Sequence, residues 1–174
     1  MRYPVEETAK KHEKILSEAT RLFREKGFSG VSVGELMKSA GLTHGPFYNH
    51  FASKEALMEE VVEFAMQNSE RAVSKYCADP NGKEKYISFY LSTAHRDAPG
   101  EGCPMAAMAV EVGRDEALKV PFTRQLKGAI ERLSKCFRWK SQKSARSEAI
   151  CATAAMVGAL ILSRAVEDEA QRSC

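Results

Sequence analysis

The chain has few features of an exported or membrane-anchored protein. Its five cysteines form no Cys-x-x-Cys pair, and their odd number predicts free thiols in a reducing cytosol rather than a disulfide framework. Residues 149–162 are the longest near-apolar run, and these 14 residues are fewer than the roughly 20 that span a bilayer. The first residues are polar and charged where an export signal needs an apolar stretch, so we expect a cytoplasmic protein without a membrane span.

A strong net charge is also absent. The 174 residues carry a formal charge of +3, so no overall field indicates nucleic-acid binding, and any basic surface must be local. This length accommodates one domain or two small ones and excludes a large multidomain enzyme. None of the cysteines lies at metal-binding spacing from a histidine, and we expect neither a metal nor a cofactor.

Alternating β-branched runs are missing, and almost every periodic segment has the helical period, so the sequence predicts an all-α fold. Residues 10–26 have one apolar face and end at Gly27. Ser32 begins a second helix that Gly41 ends after two turns, and Thr43 is the expected N-cap of a third short helix. Two short helices joined by a turn predict a helix-turn-helix unit. We therefore expect a DNA-binding domain over residues 1–52 and a second domain over 53–174. The helices predicted in that second domain cover residues 54–76, 83–96, 104–113, 115–137 and 141–168, with a flexible loop at 97–102.

Residues 38–54 contain no Asp or Glu, although the flanking segments are rich in Glu. This gap in acidic residues leaves a local field that suits a phosphate backbone. Gly45 allows close approach to base edges, and Pro46 fits the first helical turn, where its missing N–H has no partner to lose. Phe47 and Phe51 are expected to face inward. On the residues alone, an ordinary loop with a small apolar core remains the alternative.

Residues 32–57, SVGELMKSAGLTHGPFYNHFASKEAL, resemble the helix-turn-helix signature of TetR/AcrR-type transcriptional regulators. The Ala-x-x-Leu-Phe pattern within residues 15–27 also resembles the first helix of that family. The resemblance implies phosphate contacts from Ser32, Thr43, Tyr48, Asn49, His50 and Lys54, and base-edge contacts from His44, Gly45 and Pro46. A lysine is frequent at the position of His44 in such proteins, so the resemblance leaves the operator sequence and its pH sensitivity open.

In this family the remaining helices bind an effector and form the dimer. Residues 102–109, GCPMAAMA, resemble the start of a central helix in one subgroup, without identifying a ligand. We expect a mostly apolar pocket and a small apolar effector. The candidate pocket residues are Phe89, Tyr90, His95, Cys103, Met105, Met108, Phe122 and Trp139. Each of them is also compatible with an ordinary core position.

The predicted helix over residues 141–168 is rich in small residues, which let two helices approach closely. We expect a homodimer through this helix, with an intramolecular core as the alternative. Its small residues are Ala145, Ala149, Ala152, Ala155, Gly158 and Ala159. A two-fold dimer places two recognition helices roughly 34–36 Å apart, one turn of DNA.

The sequence therefore predicts a dimeric repressor that binds a palindromic operator and is released by an effector. A thiol-based sensor acting through Cys103 at a helix start is the second hypothesis. An enzyme using His95 and Cys103 is a remote third, because no orienting acid or oxyanion site accompanies the pair. The other internal cysteines, Cys77, Cys136 and Cys151, are expected to be small buried hydrophobic residues.

Overall fold

Eight α-helices and two 3-10 helices, with no β-strand, make up residues 5–167, the part of the chain that the computed structural model describes. The all-α prediction is confirmed. The α-helices are α1 (Val5–Lys26), α2 (Val33–Ser39), α3 (Lys54–Ser74), α4 (Gly82–Tyr90), α5 (Thr93–Asp97), α6 (Pro104–Val112), α7 (Glu116–Cys136) and α8 (Ala145–Ala165). The 3-10 helices are Gly45–Asn49, between α2 and α3, and Pro99–Glu101, between α5 and α6.

The predicted helix boundaries near the N-terminus follow from local chemistry. Gly27 and Gly41 adopt φ of 74° and 67°, left-handed values that terminate α1 and α2 at little cost only for glycine. Ser32 caps α2, because its hydroxyl oxygen accepts the Glu35 N–H at 3.1 Å. The Ser53 hydroxyl does the same for α3.

Two local predictions are wrong. Thr43 does not cap the third helix, because the N-cap position belongs to His44, and the element is a single 3-10 segment without a side-chain cap. Residues 83–96 form two helices rather than one, because the Ser92 hydroxyl accepts the His95 N–H and starts α5. Helical periodicity alone does not reveal that cap, since the apolar pattern continues across it.

The apolar core does not stop at residue 52. Phe23, Leu36 and Phe47 on the N-terminal side belong to the same buried cluster as Leu57 of α3 and Met108 of α6. A second cluster lies among α3, α4, α7 and α8. The helix-turn-helix unit is thus packed on the helices that follow it, and its boundary at residue 52 stays a prediction.

The expectation of free thiols is wrong for two cysteines. Cys77, just after α3, and Cys136, the last residue of α7, form a disulfide across 59 residues of sequence. The helices α3 and α7 run parallel, so their C-terminal ends meet. Ion pairs of Arg124 with Glu63 and of Arg132 with Glu70 also join these two helices.

The unpaired thiols lie in different settings. Cys103 is free and buried. Cys151 is free but exposed, so the expectation of a buried residue is wrong for it as well. Cys174 lies outside the described residues.

Candidate nucleic-acid interface and ligand cavity

The 3-10 helix Gly45–Asn49 divides its side chains between the core and the surface. Phe47 and Phe51 are almost fully buried, with ring centroids 5.6 Å apart, and they anchor the segment as the sequence predicts. The Tyr48 side chain is 64% exposed. Thr43, His44, Gly45 and Asn49 are also exposed. The buried pair therefore presents the polar residues between them on one outward surface.

Gly45 faces open space. A Cβ atom added at Gly45 would meet no atom within 4 Å, so the fold itself does not require glycine there. Pro46 lies in the first turn of the 3-10 helix, as predicted. This combination leaves a smooth outer surface that another molecule is able to approach closely.

Two predicted contact residues already have partners within the protein. The Ser32 hydroxyl caps α2, although the residue is exposed. The Lys54 ammonium donates to the Phe28 carbonyl at 2.7 Å and lies 5.9 Å from the Phe23 ring centroid. Since an ammonium has three donors, Lys54 retains others for a phosphate, but it also ties α3 to the loop after α1.

His50 is half-buried beside His12. Burial, with smaller contributions from His12 and Lys11, lowers the pKa of His50 below its ordinary value. We therefore expect His50 to be neutral at pH 7 and to offer a phosphate a neutral hydrogen bond rather than an ion pair.

The acidic residue that precedes this surface in sequence is neutralised. Lys26 Nζ lies 2.6 Å from Glu35 Oε1, and this contact holds the pKa of the Glu35 carboxyl below its ordinary value. The acid-free window of residues 38–54 thus lies beside a compensated carboxylate. The surface is weakly basic because residues 38–54 contain no acid and Glu35 is paired, while Glu55, the next acid in sequence, lies in the first turn of α3.

A cavity of about 230 Å³ lies between α1, α3, α4 and the segment that leads into α6. Aromatic and aliphatic side chains form one part of its wall, and polar groups form the other. The apolar lining comes from Ala72, Val73, Tyr86, Phe89 and Tyr90. The polar lining comes from Arg24, Asn68, Ser69, His95, Glu101, Gly102 and Cys103.

His95 links two segments of the cavity wall and does not activate the neighbouring Cys103 thiol. Its Nδ1 donates to the Tyr90 carbonyl oxygen at 2.6 Å, and its Nε2 accepts the Cys103 backbone N–H at 3.1 Å. Burial lowers the pKa of His95, which favours the neutral ring that these two bonds require. Both ring nitrogens are engaged with backbone, so the catalytic pair of the enzyme hypothesis is not formed.

Half of the predicted pocket residues line this cavity: Phe89, Tyr90, His95 and Cys103 do so. Met105 lines a neighbouring cavity of about 20 Å³. Met108 and Phe122 instead fill the core beneath the helix-turn-helix unit. Trp139 packs in the second core cluster and donates its indole N–H to the Leu133 carbonyl. Met108, Phe122 and Trp139 thus pack in the core and do not line this cavity.

The segment between α5 and α6 joins the cavity to α1. Arg24 Nη1 donates to the Gly102 carbonyl at 2.7 Å. The approach is so close that a Cβ atom on Gly100 would lie 2.3 Å from Glu25 Oε1. A second connection is made by the Glu111 carboxylate of α6, which accepts the Phe28 N–H at 3.0 and 3.1 Å. The first connection ends on α1, and the second ends on the loop between α1 and α2.

Sequence reasoning missed the two arginines of this region, Arg24 and Arg164. Helical periodicity assigns Arg24 to the charged side of α1, whereas in the structure it lines the cavity. Arg164 donates to the carbonyl oxygens of His95 and Arg96. No spacing in the sequence connects the ends of α1 and α8, so no sequence signal identified either residue.

Comparisons with known proteins agree with this architecture. Residues 15–61 match the family model described as "Bacterial regulatory proteins, tetR family". The transcriptional repressor DhaR of Mycobacterium sp. strain GP1 is 28% identical over 99 residues, which cover 56% of this chain and 50% of DhaR. The transcriptional regulator UidR of Escherichia coli K12 is 36% identical over 63 residues, 36% of this chain and 31% of UidR. The chain therefore matches half or less of the length of these relatives.

Solved structures extend the likeness of fold to nearly the whole chain. A TetR-family regulator from Agrobacterium tumefaciens superposes with a TM-score of 0.79 at 20% identity, covering 95% of this chain and 93% of the other. A regulator from Cytophaga hutchinsonii gives a TM-score of 0.80 at 19% identity, covering 95% and 89%. The N-terminal segment, residues 15–61, therefore matches the TetR family of bacterial regulatory proteins, and the chain as a whole has the fold of these TetR-family structures.

Proposed function

We propose that the protein is a cytoplasmic transcriptional repressor that binds a palindromic DNA operator as a homodimer and leaves it when a small molecule occupies the cavity. The observation that carries this proposal is the exposed, acid-free surface around the 3-10 helix Gly45–Asn49, within the segment that matches the family model. The DhaR relative is named a repressor, which supports the same direction of control.

The surface supports two kinds of DNA contact. Tyr48 is well exposed, and we assign its hydroxyl to a phosphate. Gly45 leaves open space in which a base edge fits. We assign phosphate contacts to Ser32, Thr43, Tyr48, Asn49, His50 and Lys54, and base-edge contacts to His44, Gly45 and Pro46.

We assign the dimer interface to the exposed face of α8. Its buried face packs in the core through Ala149, Met156 and Leu160. The opposite face exposes Cys151, Ala154, Ala155, Ile161 and Leu162, and a Cβ atom on Gly158 would meet nothing within 4 Å. The apolar residues of this face recur every three to four positions, which suits a second helix of the same kind.

α8 is also long and apolar enough to cross a membrane, and 28% of its most apolar 18-residue stretch is buried in the single chain. A second copy accounts for the exposed face while preserving the packing of the buried face on its own chain. The two-fold arrangement would also supply the second recognition element that a palindrome requires.

Release from DNA requires the cavity and the DNA surface to be coupled. The Gly102 carbonyl borders the cavity and accepts a hydrogen bond from Arg24 of α1. A ligand that displaces this segment would therefore shift α1. It would also shift the 3-10 helix Gly45–Asn49, whose Phe47 lies in the same apolar cluster as the buried residues of α1. Such a ligand shifts the population away from DNA only by as much as it prefers the displaced arrangement.

Tyr48→Phe tests the DNA surface. Loss of the hydroxyl is expected to weaken binding to all duplex sequences by about fivefold, the effect of one neutral hydrogen bond of ~1 kcal/mol. The salt dependence should stay unchanged because tyrosine carries no charge there. Fluorescence anisotropy with a random-sequence duplex pool measures both quantities.

Tyr76→Phe is the matched control, because it removes a tyrosine hydroxyl beyond the end of α3, at the disulfide end of the molecule. Unchanged DNA affinity in Tyr48→Phe would contradict the phosphate assignment. Lys54→Gln is a poorer test, since it also breaks the contact with Phe28.

An oxidant or electrophile sensor is the second candidate function. Cys103 is the free thiol that borders the cavity among the described residues. This function predicts that Cys103→Ser abolishes release from DNA by hydrogen peroxide while it preserves DNA affinity in the absence of the oxidant. A response retained in Cys103→Ser, measured by the same anisotropy assay, would eliminate the candidate.

A further inference from the structure

Two arginines near the cavity have no acidic partner. Arg24 donates to the carbonyl oxygens of Thr20 and Gly102, and Arg164 donates to those of His95 and Arg96. Neither forms an ion pair in the part of the chain that the structure describes. Burial lowers the pKa of both guanidinium groups, and the charges of nearby carboxylates offset this effect only in part.

The carboxylates nearby do not neutralise this charge. Glu25 accepts two hydrogen bonds from Arg21. Asp97 is paired with Arg96, with a distance of 2.7 Å between Arg96 Nε and Asp97 Oδ1. Glu101 borders the cavity but is exposed, so water screens its charge.

A buried hydroxyl also lacks a strong partner. The Tyr90 hydroxyl oxygen has no nitrogen or oxygen partner among the described residues and interacts only with the Cys103 thiol, a weak hydrogen-bonding group, although Tyr90 is only 3% exposed and borders the cavity. Buried polar groups without partners are rare, since each costs the free energy of its lost hydration. The cavity therefore combines an unpaired cation, a free hydroxyl and the apolar surfaces of Val73, Tyr86 and Phe89.

We infer that the effector is a small organic acid, with its carboxylate on Arg24 and its apolar body against Val73, Tyr86 and Phe89. This inference rests on the proposed function, because it names the ligand class of the same cavity. It replaces the purely apolar effector expected from the sequence, which would leave the cation and the hydroxyl unsatisfied. Guanidinium binds carboxylate through parallel hydrogen bonds, a geometry that a neutral amide reproduces poorly.

The same contact would give the acid a route to the DNA surface. Arg24 belongs to α1, and its guanidinium holds the Gly102 carbonyl at 2.7 Å. A carboxylate that binds this guanidinium competes with the Gly102 carbonyl for its donors. Ligand binding would thus weaken a hydrogen bond between α1 and the cavity wall, whereas an apolar ligand has no comparable effect on Arg24.

Isothermal titration of the full chain with matched acids and amides tests the inference. The pairs are benzoate and benzamide, 3-phenylpropionate and 3-phenylpropionamide, and hexanoate and hexanamide. At least one acid is expected to bind, about tenfold to a hundredfold more tightly than its own amide, the effect of one charged hydrogen-bonded contact. Binding by none of the acids, or equal affinity for acid and amide, would overturn the inference.

Variants locate the contact. Arg24→Gln is expected to abolish the preference for the acid, Arg24→Lys to retain part of it, and the control Arg138→Gln, an exposed residue after α7, to leave it unchanged. Should Arg24→Gln fail to fold, Arg24→Lys and the Tyr90 variant below test the same contact. An acid preference that survives undiminished in folded Arg24→Gln would place the carboxylate elsewhere and refute the assignment to Arg24.

Tyr90→Phe gives an independent measurement. The variant is expected to lower acid affinity about fivefold without lowering the melting temperature, because the hydroxyl has no nitrogen or oxygen partner to lose in the free protein. An unchanged acid affinity would contradict a contact with the hydroxyl. DNA binding by the unliganded protein is measured separately, so failure of the inferred ligand class leaves the DNA-binding proposal standing, and the reverse also holds.

Discussion

Leu162→Glu is expected to make the protein monomeric and to lower its affinity for a palindromic duplex, selected from a random pool, by at least about a hundredfold. Leu162 is 66% exposed on the apolar face of α8. In a dimer through this face, the new carboxylate would be buried without a partner. Such an uncompensated charge costs about 3–5 kcal/mol, enough to dissociate a moderately stable dimer. A monomer retains one recognition element and loses the second half-site.

Sedimentation equilibrium and anisotropy with the selected duplex measure the two effects on one sample. Leu162→Ala is the matched control, because it removes contact area without adding charge and should leave a weakened dimer. Since Leu162 contacts solvent in the single chain, the helical circular dichroism of Leu162→Glu should be unchanged. A dimeric Leu162→Glu protein with normal operator affinity would show that α8 is not the interface.

Gly158→Ala is a second test of the α8 interface. Its missing Cβ has open space around it in the single chain, so Gly158→Ala should stabilise the helix by about 0.5–1 kcal/mol if nothing packs there. Close packing of a second α8 would reverse that sign, because the added methyl group would separate the two helices. The concentration dependence of the unfolding midpoint distinguishes these cases.

The features that were predictable from the sequence depend on interactions between near neighbours. Ser32 and Ser53 cap helices that begin at the next residue, and Gly27 ends α1 through its own φ. The acid-free window is likewise a property of consecutive residues, and it coincides with the exposed surface of the 3-10 helix. Each of these signals needs no knowledge of how distant segments pack.

The features that escaped prediction join distant segments or depend on a single local cap. Arg24 reaches the cavity only because the segment before α6 folds against α1, 78 residues away in sequence. Ser92 interrupts an apolar pattern that otherwise continues, so periodicity suggested one helix where there are two. Met108 and Phe122 have the composition of pocket residues, but tertiary packing places them in the core.

The disulfide is the unpredicted feature with the largest expected effect on stability. The double variant Cys77→Ser/Cys136→Ser is expected to lower the free energy of unfolding by about 4 kcal/mol under oxidising conditions, because the bond closes a loop of 59 residues in the unfolded chain. The ion pairs between α3 and α7, Arg124 with Glu63 and Arg132 with Glu70, are partly exposed. They are expected to offset little of the stability lost with the disulfide.

Urea unfolding with and without dithiothreitol measures this contribution. Dithiothreitol should lower the stability of the unsubstituted protein to that of the double variant and should leave the double variant unchanged. Equal stability of the unsubstituted protein with and without the reductant would show that the two sulfurs contribute no covalent link in solution.

The outcome bears on the cavity as well, because Val73 and Tyr86 border it and lie in the core cluster that packs around the disulfide end of α3 and α7. In the cytoplasmic location proposed above, the bond is expected to open, and the proposed DNA-binding form is then the reduced protein. The acid titrations should therefore be repeated in dithiothreitol. An acid affinity that changes on reduction in the unsubstituted protein, but not in the double variant, would link the thiol state to the ligand site; equal affinities would separate the two.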